Sequence, residues 1–202
     1  MNRLFWVCFA ALTLTVSLPA VAQGDKVAGK EKSAVCAGCH GLDGNSANPE
    51  WPKLAGQGEV YLIKQLREYQ SKVRDNAVMY PQAAGLSEQD MADLAAFYAA
   101  QPIKPGTADE TAVALGESVY RGGNSATGIP ACIGCHAPNG VGNPAAKFPR
   151  LSGQHATYTA LQLKEFRSGA RANDAGMMMR MVAQRLTDAE IDAVSQYVAG
   201  LK

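Results

Sequence analysis

Apolar residues recur every three to four positions in three stretches of this chain. Leu62, Leu66, Tyr69 and Val73 form the first stripe, Met91, Leu94, Phe97 and Tyr98 the second, and Ile191, Val194, Tyr197 and Val198 the third. That spacing predicts helices with one buried face. Ser87-x-x-Asp90 and Thr187-x-x-Glu190 precede the second and third stripes as capping boxes. In each, the hydroxyl and the acid satisfy free N–H groups of the first turn. Shorter helices are expected at about 26–36 and 111–121. No convincing run of alternating β-branched residues appears, so the class is all-α.

A different apolar pattern opens the chain. Arg3 is followed by an uncharged stretch from Leu4 to Leu18, and Ala20-Val21-Ala22 then offers a small-x-small cleavage site. The stretch falls short of the length expected for a membrane span. Residues 1–22 therefore read as a cleaved signal peptide, with a mature chain beginning at Gln23 and exported to the periplasm. Cys8 leaves with the peptide, and four cysteines remain.

The mature chain is one unit written twice. Cys36-Ala37-Gly38-Cys39-His40 recurs as Cys132-Ile133-Gly134-Cys135-His136, and Pro52-Lys53-Leu54-Ala55-Gly56-Gln57 as Pro149-Arg150-Leu151-Ser152-Gly153-Gln154. Tyr61, Gln65, Leu66, Glu68, Arg74 and Asn76 return at an offset of 97 as Tyr158, Gln162, Leu163, Glu165, Arg171 and Asn173. Two copies mean tandem domains rather than a solenoid. Pro102 and Pro105-Gly106 cannot continue a helix, which places the boundary between domains 23–102 and 103–202. Most of the second unit's extra length lies between Gly116 and Cys132, where Gly122-Gly123-Asn124-Ser125 reads as an inserted loop.

Charge narrows the function classes. Lys and Arg number 19 against 18 Asp and Glu, so net charge favours neither nucleic acid nor an acidic membrane. Residues 23–102 hold 8 basic and 10 acidic side chains, and residues 103–202 hold 10 and 8. The two ends are thus unlike, as suits a carrier meeting donor and acceptor with different domains; chance variation explains the same difference.

Three readings of the cysteine pairs compete with a fourth. Disulfides suit an exported chain, a four-Cys site suits zinc, and a thioredoxin-like pair would need a βαβ pattern that is missing. None explains the His that follows each second Cys. Covalent haem attachment does: two thiols on one helical turn form thioethers with one porphyrin, and the adjacent imidazole ligates its iron. Cys36, Cys39, Cys132 and Cys135 are the expected attachment residues, with His40 and His136 as proximal ligands to two haem c groups.

The opposite ligand is sought by position. Met79 lies eight residues before Ser87, and Met91 falls on a helix's apolar face, so Met79 is the choice in the first unit. The second unit offers Met177, Met178, Met179 and Met181. Counting back eight from Thr187 gives Met179, with Met178 its main rival; a three-residue insertion then separates it from Asn173. His155, at the start of a predicted helix, reads as an exposed or capping residue. Pro52 and Pro149 are expected to aim their carbonyls at Nδ1–H of the two haem histidines. Arg74 and Arg171 suit either haem propionates or solvated surface.

On these motifs the chain resembles the dihaem cytochrome c4 family. The resemblance spans essentially the whole mature sequence, including Asn143-Pro144-Ala145-Ala146 after the second motif. It implies two tandem class I cytochrome c domains related by a pseudo-twofold axis, with haems facing each other near the domain interface. It further implies a periplasmic monomer, at times loosely held at the inner membrane, that carries electrons between redox proteins toward a terminal oxidase. The dihaem subunit of flavocytochrome c sulfide dehydrogenase is similar in organisation. A dihaem peroxidase is the enzyme alternative, against which stand the two expected Met ligands and the short chain.

Overall fold

The computed structural model describes residues 23–201, so the signal peptide expected over 1–22 lies outside the described residues. The first unit contains α1 (Lys26–Lys32), α2 (Ala34–His40), α3 (Glu59–Gln70), α4 (Met79–Ala83) and α5 (Glu88–Ala99). The second contains α6 (Glu110–Gly122), α7 (Ile133–His136), α8 (Ala156–Ser168), a 3₁₀ turn at Ala175–Met177, α9 (Met178–Ala183) and α10 (Asp188–Gly200). Among the described residues the only extended pairings are the isolated bridges Asn124–Ile129 and Asn143–Phe148. The all-α, two-domain expectation holds.

Both capping boxes form. Ser87 accepts from the Asp90 N–H while Asp90 accepts from the Ser87 N–H, and Thr187 and Glu190 do the same for α10. Each satisfies donors that a helix start leaves bare. The helices so started bury the expected stripes: Met91, Leu94, Phe97 and Tyr98 on α5, and Ile191, Val194, Tyr197 and Val198 on α10. Each packs across the first helix of its own unit, α5 on α1 and α10 on α6. Glycine permits the crossing. A Cβ on Gly29 would stand 2.0 Å from the Asp93 carbonyl oxygen, and one on Gly116 would stand 2.2 Å from that of Ala193.

Two expectations need correction. The helix at 26–36 is broken at Ser33, whose hydroxyl donates to the Lys30 carbonyl at 2.7 Å, giving α1 and α2 separate axes. Val73 is exposed rather than inward-facing, because α3 stops at Gln70 and Lys72 turns left-handed with φ 60°. The helix expected at 111–121 forms as α6, and the loop expected after it folds back through the Asn124–Ile129 bridge. Asn124 Nδ2 ties that turn to Glu190 at 2.8 Å.

Candidate metal centres

Each Cys-x-x-Cys-His motif runs into a short helix that ends on its histidine, with Cys36 inside α2 and Cys132 at the N-cap of α7. The chain then leaves through a positive φ, 79° at Gly41 and 66° at Ala137, which turns it back under the imidazole. His40 and His136 are both buried. The Nδ1–H of His40 donates to the Pro52 carbonyl at 2.8 Å, and that of His136 to the Pro149 carbonyl at 2.9 Å, as the sequence leads one to expect. Burial pushes both imidazoles below their ordinary pKa, against the opposing pull of these carbonyls. The rings are therefore neutral at neutral pH with Nδ1 protonated, leaving the Nε2 lone pair as the one free to bind a metal.

All four thiols are free rather than joined in disulfides. The first of each pair is partly sheltered and the second exposed. Burial raises the Cys36 thiol, and raises Cys132 to about 11. Among the described residues no three His, Cys, Asp or Glu side chains gather into a metal cage. The donor set left in each unit is a neutral imidazole, two thiols on the same turn, and a thioether farther along the chain. That set suits a covalently held haem, not a bare ion.

The methionine segments match in register. Ala83 and Ala183 are both fully buried, and counting back four residues reaches Met79 and Met179. In the first unit Asn76 Oδ1 accepts from the Met79 N–H at 2.9 Å, holding the start of α4. The second unit replaces this with Asp174, which accepts from the Arg180 N–H at 3.0 Å and pairs with its guanidinium at 2.8 Å. Its inserted residues are absorbed by left-handed turns at Gly176 and Met177. Met179 is half-buried, whereas Met177, Met178 and Met181 are 40–50% exposed.

Arg74 and Arg171 are not surface arginines. Both are buried where the units meet, stacked over Tyr69 and Phe166 with 4.8 and 4.4 Å to the ring centroids. Arg74 donates to Gln65 in its own unit, and to Tyr158 and Gln162 in the other. Arg171 mirrors it, donating to Gln162, Tyr61 and Gln65. Neither guanidinium is bonded to a carboxylate among the described residues, and Gln65 Nε2 beside them is buried with no acceptor. Two uncompensated buried cations and an orphan donor call for an anionic acceptor. The carboxylate arms of a haem supply that chemistry, so the residues present fit the group.

His155 is neither exposed nor a side-chain cap. It sits at the N-cap position of α8, and its Nε2 reaches the other unit, 2.9 Å from both the carbonyl and the hydroxyl of Ser46. Gln57 and Gln154, which sequence reasoning notes only as the end of a repeated hexapeptide, prove to be buried interface residues. Their recurrence at identical distance from each haem-motif proline was the available signal.

The cytochrome c family model matches residues 21–99 and 113–202. Cytochrome c4 of Azotobacter vinelandii is 49% identical over 203 residues, covering 94% of this chain and 95% of the relative. The thiosulfate dehydrogenase electron acceptor of Thiomonas intermedia is 40% identical over 175 residues, covering 83% and 79%. The crystal structure of reduced cytochrome c4 from Pseudomonas stutzeri superposes with TM-score 0.86 at 49% identity, covering 89% of this chain and all of that one.

Proposed function

Because this chain belongs to the cytochrome c family, in its dihaem cytochrome c4 branch, we propose that it shuttles electrons through the periplasm from a respiratory donor toward a terminal oxidase. It is an electron-transfer cytochrome with two covalently bound haem c groups. In this reading Cys36 and Cys39 hold one haem and Cys132 and Cys135 the other. His40 with Met79, and His136 with Met179, close the two irons. The bound group would supply one-electron exchange at iron, at a potential that ligation by thioether and imidazole would raise.

The remaining work belongs to the chain. Pro52 and Pro149 hold each imidazole in one tautomer and orientation, so that little moves when an electron arrives. Asn76 and Asp174 fix the helix starts that carry the methionines. The observation that carries the reading is this duplicated set: a buried neutral imidazole and a sheltered methionine in matching register in both units. A set closed on both sides favours transfer over turnover of a substrate. The opposite charge balance of the two units supports docking of donor and acceptor on different domains.

A second reading is supported by the Thiomonas intermedia relative, which is named as an electron acceptor of thiosulfate dehydrogenase. Under it the donor is a sulfur-oxidising dehydrogenase, and the rest of the account stands. Replacement of Met79 or Met179 by histidine tests the ligand assignment. Each variant should lose one of two iron–sulfur charge-transfer bands and lower only its own domain's potential. Retention of both bands in Met179→His, with loss of one in Met178→His, would overturn the choice within the cluster.

A further inference from the structure

Each haem histidine is connected to the opposite domain through a single peptide group. The Pro52–Lys53 peptide accepts from His40 Nδ1–H on its carbonyl side, at 2.8 Å. On its N–H side it donates to Gln154 Oε1 of the second unit, at 2.9 Å. The Pro149–Arg150 peptide repeats the arrangement. Its carbonyl accepts from His136 at 2.9 Å, and its N–H donates to Gln57 Oε1 of the first unit at 2.8 Å.

The orientation of both glutamines is over-determined. Gln154 Nε2 donates to the Lys53 carbonyl at 2.9 Å, and Gln57 Nε2 to the Arg150 carbonyl at 3.0 Å. Each Oε1 also accepts the backbone N–H of the following residue, Gly58 or His155, at 3.0 Å. Flipping either amide would set donor against donor, so the oxygen must face the peptide N–H. Both side chains are at least nine-tenths buried, where such bonds are not diluted by water.

From this geometry we infer that Gln57 and Gln154 are crossed positioning residues, each setting the reduction potential of the haem in the domain opposite its own. The inference rests on His40 and His136 being the iron ligands. A hydrogen bond accepted from a peptide's N–H makes its carbonyl a stronger acceptor, because bonds in a chain polarise one another. A stronger acceptor at Nδ1 makes the imidazole more basic, which stabilises the oxidised iron and lowers its potential. Removing the glutamine should therefore raise the potential of the far domain and spare the near one.

The test is a redox titration of the full dihaem protein, each step assigned to its domain by the shifted haem methyl signals in its NMR spectrum. Gln154→Leu should raise the domain 1 potential, and Gln57→Leu that of domain 2. The expected change is roughly threefold to tenfold in the one-electron equilibrium, about 30–60 mV at about 59 mV per decade. Gln154→Glu keeps an oxygen acceptor for the Lys53 N–H and should hold domain 1 at or below its original potential. A merely structural role predicts shifts in both domains together, or in the altered domain alone. Either result overturns the inference, as does an unchanged pair of potentials, a glutamate variant that behaves like leucine, or failure of both leucine variants to load haem. Absence of His/Met spectra in the unaltered protein would instead refute the ligand assignment beneath it.

Discussion

Residue 137 shows the two units meeting one demand with different chemistry. After its histidine the chain must pass through positive φ, and the first unit uses Gly41 where the second places Ala137 at φ 66° and ψ 157°. That conformation is costly for any side chain with a Cβ. Tyr120, fully buried, holds the strained residue by donating to its carbonyl at 2.6 Å. Ala137→Gly should therefore stabilise the protein by roughly 1 kcal/mol in reversible denaturation, the relieved strain exceeding the added chain entropy. A destabilised variant would show that Ala137 is not strained. At this scale the two buried histidines and their proline partners were legible, because each imidazole follows a repeated thiol pair and each proline opens a repeated hexapeptide. The strain at Ala137 was not, since a Gly-to-Ala change between repeats looks conservative until φ is known.

Between elements, the same crossing of first and last helix recurs with different support. In the first unit Asp93, almost wholly buried on α5, accepts from Lys32 Nζ at 2.6 Å and from the Asp25 N–H at 2.8 Å, tying down the seven-residue α1. The second unit has Ala193 at the matching place, and the thirteen-residue α6 relies on packing over a longer face. Gly116 is where that packing is tightest. Gly116→Ala should destabilise the protein by roughly 1–3 kcal/mol, because the new methyl meets a backbone carbonyl that cannot rotate away. Thermal unfolding of the variant measures this, and an unchanged midpoint would mean the crossing is looser than the structure shows. The faces of α5 and α10 could be read from period alone. The end of α3 could not: Val73 continues the apolar stripe by count, while Lys72 has already left the helix. Periodicity reports a face, and the residues beyond the last hydrogen bond keep the rhythm without the geometry.

The whole molecule is organised by its interface, and this was the least legible part of the sequence. In the sequence Arg74 and Arg171 suit propionates and solvent equally; only the approach of the second unit supplies the tyrosines and glutamines that bury them. His155 and Gln154 likewise acquire partners, Ser46 and Lys53, that lie 109 and 101 residues away. Pairings at that separation leave no local pattern, though the matched recurrence of the arginines and glutamines was visible. In the proposed function this interface joins two ligand sets, each closed by a histidine and a methionine, and that closure is what most needs testing. Carbon monoxide binding to the fully reduced protein at neutral pH tests it most directly, since the gas needs a vacant or easily vacated iron position. With both irons closed, the reduced absorption spectrum should change slowly or not at all after mixing. Rapid, stoichiometric binding at either haem would contradict it, showing an open iron where Met79 or Met179 should stand.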